Sequence, residues 1–169
     1  MIIRPEKPED ISEIRRINAE AFDADGEANL IDALRDSGVP LISLVAEDSE
    51  GAIIGHILFS EVTLDPNRTD ITIAGLAPIA VLPAYQNKGV GSMLIDEGIK
   101  YCKKAGYAAV VVLGHHKYYP RFGFVPSTKY DLTCEYDVPT EVFMVKELWA
   151  GALKDCKGEI RYHEVFRQL

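Results

Sequence analysis

The chain has 169 residues and a mass of 18.7 kDa, with 47% hydrophobic and 26% charged residues, which is the size and composition of one ordinary globular domain and excludes a wholly disordered chain. Eighteen Lys and Arg stand against twenty-six Asp and Glu, a formal charge of −8, which argues against a general nucleic-acid-binding surface built from clustered positive charge. The acid is concentrated early: residues 1–80 hold 6 basic and 16 acidic residues, residues 81–169 hold 12 and 10, so the second half suits an anionic ligand and the first a cationic one.

Ile2–Arg4 reads as a short first strand. Pro8 opens a helix where its missing N–H costs nothing, Glu9 and Asp10 favour the first turn, and Ile11, Ile14, Ile17 and Ala21 fall on one face. A second helix is predicted over Glu27–Arg35 on Ala28, Ile31 and Leu34, ended by Gly38-Val39-Pro40. Leu41–Glu47 and Ala52–Leu64 form a hairpin across the turn Asp48–Gly51, and Asp65–Arg68 is another turn. Asp70–Val81 is a central strand, apolar on both faces near its end. Helix follows over Lys88–Ala105, with Val90, Met93, Leu94, Gly98, Tyr101, Cys102 and Ala105 as its apolar stripe and Gly106 as its stop. Ala108–Leu113 is a buried strand parallel to the previous one, as a crossover helix requires. A helical turn at Lys117–Arg121, strands at Phe122–Pro126 and Val142–Trp149, and an edge strand within Glu159–Phe166 complete a single domain over 1–169.

Cys102, Cys134 and Cys156 are odd in number and contain no C-x-x-C pair, which implies neither a disulfide framework nor a zinc knuckle and fits a reducing compartment. Met1–Glu6 lacks the apolar run of a signal peptide, and Ala108–Leu113, the longest apolar run, is too short to span a bilayer. A cytoplasmic protein with no membrane partner is expected.

The most informative stretch is Val81–Gly91, between a buried strand and a helix N-terminus. Amides there lack intrahelical acceptors and the helix dipole adds positive charge, so an anion such as pyrophosphate fits. Gly89 and Gly91 let the backbone approach a ligand, and Lys88 adds a full charge. A Rossmann fingerprint would need a third glycine where Leu94 stands, and a Walker loop would need G-K-[ST], which is absent.

Gln86-x-x-Gly89-x-Gly91, after a strand ending in Ala80-Val81-x-Pro83, instead resembles the acyl-CoA pyrophosphate loop of the GNAT acyltransferase superfamily. Tyr118-Tyr119-Pro120-Arg121-Phe122-Gly123-Phe124 resembles the family's aromatic segment. Gly26–Ile31, Gly55–Ser60 and Cys134–Pro139 resemble a bacterial branch of predicted N-acetyltransferases. The resemblance implies an α/β fold with a central mixed sheet, flanking helices and two splayed parallel strands. It implies acetyl-CoA as cosubstrate, with no metal, and direct transfer to a primary amine of a small molecule or peptide. Homodimers are common among such relatives.

Carried over residue by residue, Ile79, Ala80 and Val81 would face pantetheine, and Gln86, Asn87, Lys88, Gly89, Val90, Gly91 and Ser92 would hold the pyrophosphate. The Val81 N–H would polarise the thioester carbonyl, and Tyr119 would donate a proton to the CoA sulfur. Many relatives carry a Glu as general base on the strand equivalent to Asp70–Val81; Gly75, Leu76 and Ala77 stand there here. Glu27, His56, Glu135 and Asp137 are candidates for that role, each weighed against an ordinary structural or solvated position. His115-His116 makes a weak metal signal, and Cys134 has no visible partner as a nucleophile. The missing strand carboxylate also leaves open an acyl-CoA-binding module without catalysis.

Overall fold

The computed structural model describes residues 1–67 and 70–169. Among them run nine strands, β1 (Ile2–Pro5), β2 (Leu41–Glu47), β3 (Ile53–Asp65), β4 (Ile73–Val81), β5 (Ala109–Leu113), β6 (Val125–Pro126), β7 (Leu132–Cys134), β8 (Phe143–Glu147) and β9 (Gly158–Arg161). Three α-helices accompany them, α1 (Ile11–Phe22), α2 (Gly26–Ser37) and α3 (Val90–Lys104). This is a mixed α/β fold, and two compact units compose it. The first contains Met1–Ser60, Ala77–Gly98 and Glu164–Leu169, the second Glu61–Leu76 and Ile99–His163, so β3, β4 and α3 contribute to both.

In the first unit β1 and β3 pair antiparallel with β2 on either side. Ile14, Ile17, Leu30, Ile31, Leu34, Leu44, Val45 and Ile57 fill the core between helices and strands. Pro8–Asp10 is a 3₁₀ turn, and α1 starts only at Ile11. At that junction Ile11 leaves the predicted apolar face and is 38% exposed, while Asn18 is buried in its stead. The Arg4 guanidinium donates to Asp10 at 2.7 Å and to Glu47 at 2.7 Å, holding the Asp10 carboxyl below the usual carboxylate range. Gly38, at φ +76°, ends α2 in the left-handed conformation that glycine adopts without a Cβ penalty.

In the second unit Ile73–Gly75 of β4 runs parallel to Ala109–Val111 of β5, as the crossover argument predicts. β5 pairs antiparallel with β8 over five positions, and β8 carries β6 on its other edge. β9 is no edge strand: it lies between Thr63–Asp65 of β3 and β7, and stops at Arg161, while Glu164–Gln168 forms a 3₁₀ turn. The strand predicted over Phe122–Pro126 shrinks to two residues because Gly123, at φ +90°, ends the 3₁₀ turn Tyr119–Phe122. β7 has no counterpart in the sequence reading. The turn predicted at Asp65–Arg68 ends on Arg68, which lies outside the described residues.

α3 buries Val90, Leu94, Gly98 and Cys102 of the predicted stripe. Met93 is 41% exposed and Ala105 is exposed, whereas Ile95 is fully buried, so the apolar face is turned by one residue from the predicted one. Gly106, at φ +93°, ends the helix as expected. Among the described residues no helix is long and apolar enough to cross a membrane.

Candidate active site

The strand-to-helix connection is built from short local constraints. Beyond β4 the Leu82 N–H donates to the Ile54 carbonyl at 3.0 Å, carrying the pairing with β3 one residue further. Pro83–Tyr85 then makes a 3₁₀ turn with proline in its first position. The Gln86 N–H donates to the Pro83 carbonyl at 3.3 Å, and its side-chain Nε2 donates to the Val81 carbonyl at 3.0 Å. Both of those donors of Gln86 are thus spent within the turn, one closing the 3₁₀ segment and the other holding the strand end.

Residues 86–89 are exposed, and Asn87 and Gly89 take φ of +61° and +86°. Left-handed residues are a recurring part of the backbone concavities that bind anions. A Cβ at Gly89 would meet nothing within 4 Å, so the demand for glycine there is conformational, with space left open above it. The Gly89 carbonyl accepts from Met93 N–H at 3.1 Å, which starts the helical ladder. The amides of Val90 and Gly91 precede that ladder and carry the positive end of the α3 dipole. The Lys88 ammonium stands 5.8 Å from the Tyr85 ring centroid and adds a full charge at the exposed turn. Gly55 of β3 seats the start of α3: a Cβ there would come within 3.1 Å of both Val90 Cγ1 and Leu94 Cδ1. Ala80 is buried, whereas Ile79 and Val81 are half-buried.

Tyr119, in the second unit, is 7% exposed. Its ring meets Tyr118 and Phe124 edge-on at centroid distances of 5.3 and 5.6 Å. Gly114, the residue after β5, lies directly beneath the ring, so that any side chain at 114 would collide with it. The His115 carbonyl accepts from the N–H groups of Tyr118 and Tyr119, which fixes where the 3₁₀ turn starts. Burial pushes the Tyr119 phenol up to about 12, and Tyr118 adds to the shift, so the hydroxyl keeps its proton at neutral pH. A buried phenol of this kind is a donor and not a base.

The other candidates separate clearly. His56 is fully buried on β3, with Asn18 Nδ2 at 3.2 Å from Nδ1 and Ser43 Oγ at 2.8 Å from Nε2. The Asn18 amide donates, so Nδ1 accepts and the neutral ring carries its proton on Nε2, donating to Ser43. Burial, aided by the Arg35 charge, holds the imidazole down to about 3. His56 therefore ties α1, β2 and β3 together and does not serve as an outward-facing base. His115 and His116 are exposed and stacked on each other, with His115 Nδ1 accepting from the Lys117 N–H at 3.3 Å. Burial raises the Cys134 thiol, and this outweighs the Tyr136 N–H that donates to its Sγ at 3.4 Å and favours the thiolate, so the net shift is away from an activated nucleophile. Glu27 and Glu135 are half-buried and Asp137 is exposed. One feature the sequence reading missed lies on β4 itself. A Cβ at Gly75 would come within 2.8 Å of Tyr162 Cε1 and of Val62 Cγ1, so a ring from the far end of the chain fills the place of a strand side chain.

Comparison with known proteins agrees with this architecture. The chain is 38% identical over 169 residues, the whole of both chains, to the uncharacterized N-acetyltransferase YhbS of Escherichia coli K12. The structure of YhbS from Escherichia coli in complex with CoA superposes with a TM-score of 0.92 at 37% identity, covering 98% of this chain and 91% of that one. A GNAT family acetyltransferase from Brucella melitensis in complex with acetyl-CoA superposes with a TM-score of 0.80 at 34% identity, covering 98% and 97%. The family model described as acetyltransferase (GNAT) family matches residues 9–124, from the turn before α1 through α3 to Phe124. On sequence and fold alike, the chain belongs to the acetyltransferase (GNAT) family.

Proposed function

We propose that this enzyme transfers the acetyl group of acetyl-CoA directly to a primary amine, residues 1–169 acting as one transferase domain in the cytoplasm. The observation that carries the reading is the exposed Gln86–Gly89 turn, left-handed at Asn87 and Gly89, leading into α3. Support comes from the two similar proteins whose structures hold CoA and acetyl-CoA. The three free cysteines suit a reducing compartment. In this reading the amides of residues 87–92 receive the pyrophosphate and the main chain of Ile79, Ala80 and Val81 pairs with the pantetheine arm. Gln86 acts chiefly by holding the turn in shape.

The reaction then needs little from the protein beyond position and charge. The amine nitrogen attacks the thioester carbonyl as a neutral nucleophile, and the Val81 N–H stabilises the oxyanion that develops. The C–S bond breaks with its electron pair on sulfur, and the Tyr119 hydroxyl gives that sulfur a proton. The proton lost from nitrogen on collapse of the intermediate restores the phenol. A phenol held above the thiol range does not ionise in advance, so its proton moves only as the thiolate forms.

The test is a screen of primary amines with acetyl-CoA, read by release of free thiol and by mass spectrometry of the product. Amine-dependent thiol release with an acetylated product is expected. Absence of amine-dependent release across the panel overturns the reading.

A further inference from the structure

Each of the four arginines in residues 1–60 is matched by a carboxylate. Arg4 reaches Asp10 and Glu47 at 2.7 Å, and Arg15 reaches Asp32 at 2.8 Å. Arg16 reaches Glu13 and Glu20 at 2.8 and 2.7 Å, and Arg35 reaches Glu6 at 2.9 Å. Lys88 lies in the same compact unit, is exposed, and has no carboxylate partner among the described residues. Its ammonium stands instead over the Tyr85 ring, 5.8 Å from the centroid. That ring is anchored: Tyr85 is half-buried, ends the 3₁₀ turn Pro83–Tyr85, and donates its N–H to the Leu82 carbonyl at 2.8 Å.

The two kinds of partner treat a cation differently. A carboxylate localises the charge and cancels it. An aromatic face localises it through the ring quadrupole and leaves the full charge in place. A lysine stem gives up rotamer freedom when a ligand fixes its head group, and a ring that already confines it removes part of that cost. We propose that Tyr85 is a positioning residue for cosubstrate binding, its ring holding the Lys88 ammonium beside the exposed turn as an uncancelled charge for the diphosphate of acetyl-CoA. The inference rests on the acetyl-transfer reading above. Because the charge acts on the diphosphate and not on the reacting atoms, the ring contributes to KM for acetyl-CoA and not to kcat. It contributes nothing to a thioester that lacks the diphosphate.

Calorimetry with CoA on wild type, Tyr85→Phe, Tyr85→Leu, Lys88→Met and Tyr85→Leu/Lys88→Met tests this. Tyr85→Leu should weaken CoA binding about threefold at low salt, and Tyr85→Phe, which keeps a ring face, should stay within about twofold of wild type. Lys88→Met should weaken binding about tenfold, and the double variant no further, because the ring acts only through the lysine. The loss in Tyr85→Leu should shrink as ionic strength is raised to about 0.5 M. In turnover, KM for acetyl-CoA should rise by the same factor with kcat unchanged. S-acetylpantetheine, which lacks the diphosphate, should be used equally by wild type and Tyr85→Leu, whereas a damaged fold would lower its use as well. Losses that add in the double variant, a Tyr85→Phe loss equal to that of Tyr85→Leu, or an unchanged Tyr85→Leu would each overturn the proposal while wild type still binds CoA. Wild type that binds no CoA defeats the acetyl-transfer reading itself, and this inference falls with it.

Discussion

The side-chain amide of Gln86 holds the carbonyl of Val81 at 3.0 Å, so one residue of the turn before α3 is tied to the last residue of the strand that leads into it. Strand end and turn are set as one piece. Gln86→Ala leaves the Val81 carbonyl to water and frees the turn. Because the bond is exposed, stability should fall by only about 0.5–1.5 kcal/mol, while KM for acetyl-CoA rises several-fold with kcat little changed. Thermal unfolding and steady-state kinetics together check this.

Gly89→Asp adds a negative charge and a side chain where the pyrophosphate is proposed to sit. It also forces a non-glycine residue to φ +86°, at a cost of about 1–2 kcal/mol. Gly38→Ala, at φ +76° on the end of α2, carries the same strain far along the chain from the turn and serves as the control. Calorimetry should show acetyl-CoA affinity lost in Gly89→Asp and kept in Gly38→Ala. Equal affinities in the two variants would remove the turn from the binding site.

Tyr119→Phe should lower kcat by about a hundredfold with a small change in KM for acetyl-CoA. The folded phenol is raised above its ordinary value of 10 to about 12, so its stabilising effect is complete below pH 10 and is lost as pH rises toward 12. Alkaline unfolding followed by circular dichroism should therefore begin at higher pH in Tyr119→Phe than in wild type.

Gly114→Ala places a methyl group against the Tyr119 ring edge and must displace it. We expect a kcat loss approaching that of Tyr119→Phe. The double variant Gly114→Ala/Tyr119→Phe should be scarcely slower than either single one, because both remove the same hydroxyl from its position. Additive losses would show that Gly114 matters for another reason.

His56 supplies an acid-side prediction. Its folded value, about 3, lies below the ordinary 6.5, so its contribution to stability is fully present above pH 6.5 and is lost as pH falls toward 3. In His56→Gln the ring that must be protonated on unfolding is gone. Denaturant midpoints should then vary less between pH 6.5 and 4 than in wild type, although the absolute stability is lower.

The crossover from β4 through α3 to β5 was legible because three independent signals coincide: an apolar strand, a helical stripe with a terminal glycine, and a second apolar strand. The strand-to-helix junction between β4 and α3 was legible from the spacing of Gln86, Gly89 and Gly91. What escaped was decided at long range. β7 is three residues, too short to carry a period, and exists through its pairing with β9. Asn18 and His56 are polar in sequence and buried in fact, because each answers the other's hydrogen bond. Gly75 looked like an empty strand position until the ring of Tyr162 was found resting on it.

The two edges of β5 differ in a way that bears on affinity. Its far edge is zipped to β8 from Ala109 to Leu113, whereas its near edge meets β4 only as far as Val111. A strand clamped so completely on one side has little freedom to shift. Its position is therefore set during folding, before any cosubstrate arrives. Backbone amide exchange along β5 should accordingly be slow and nearly the same before and after saturation with CoA.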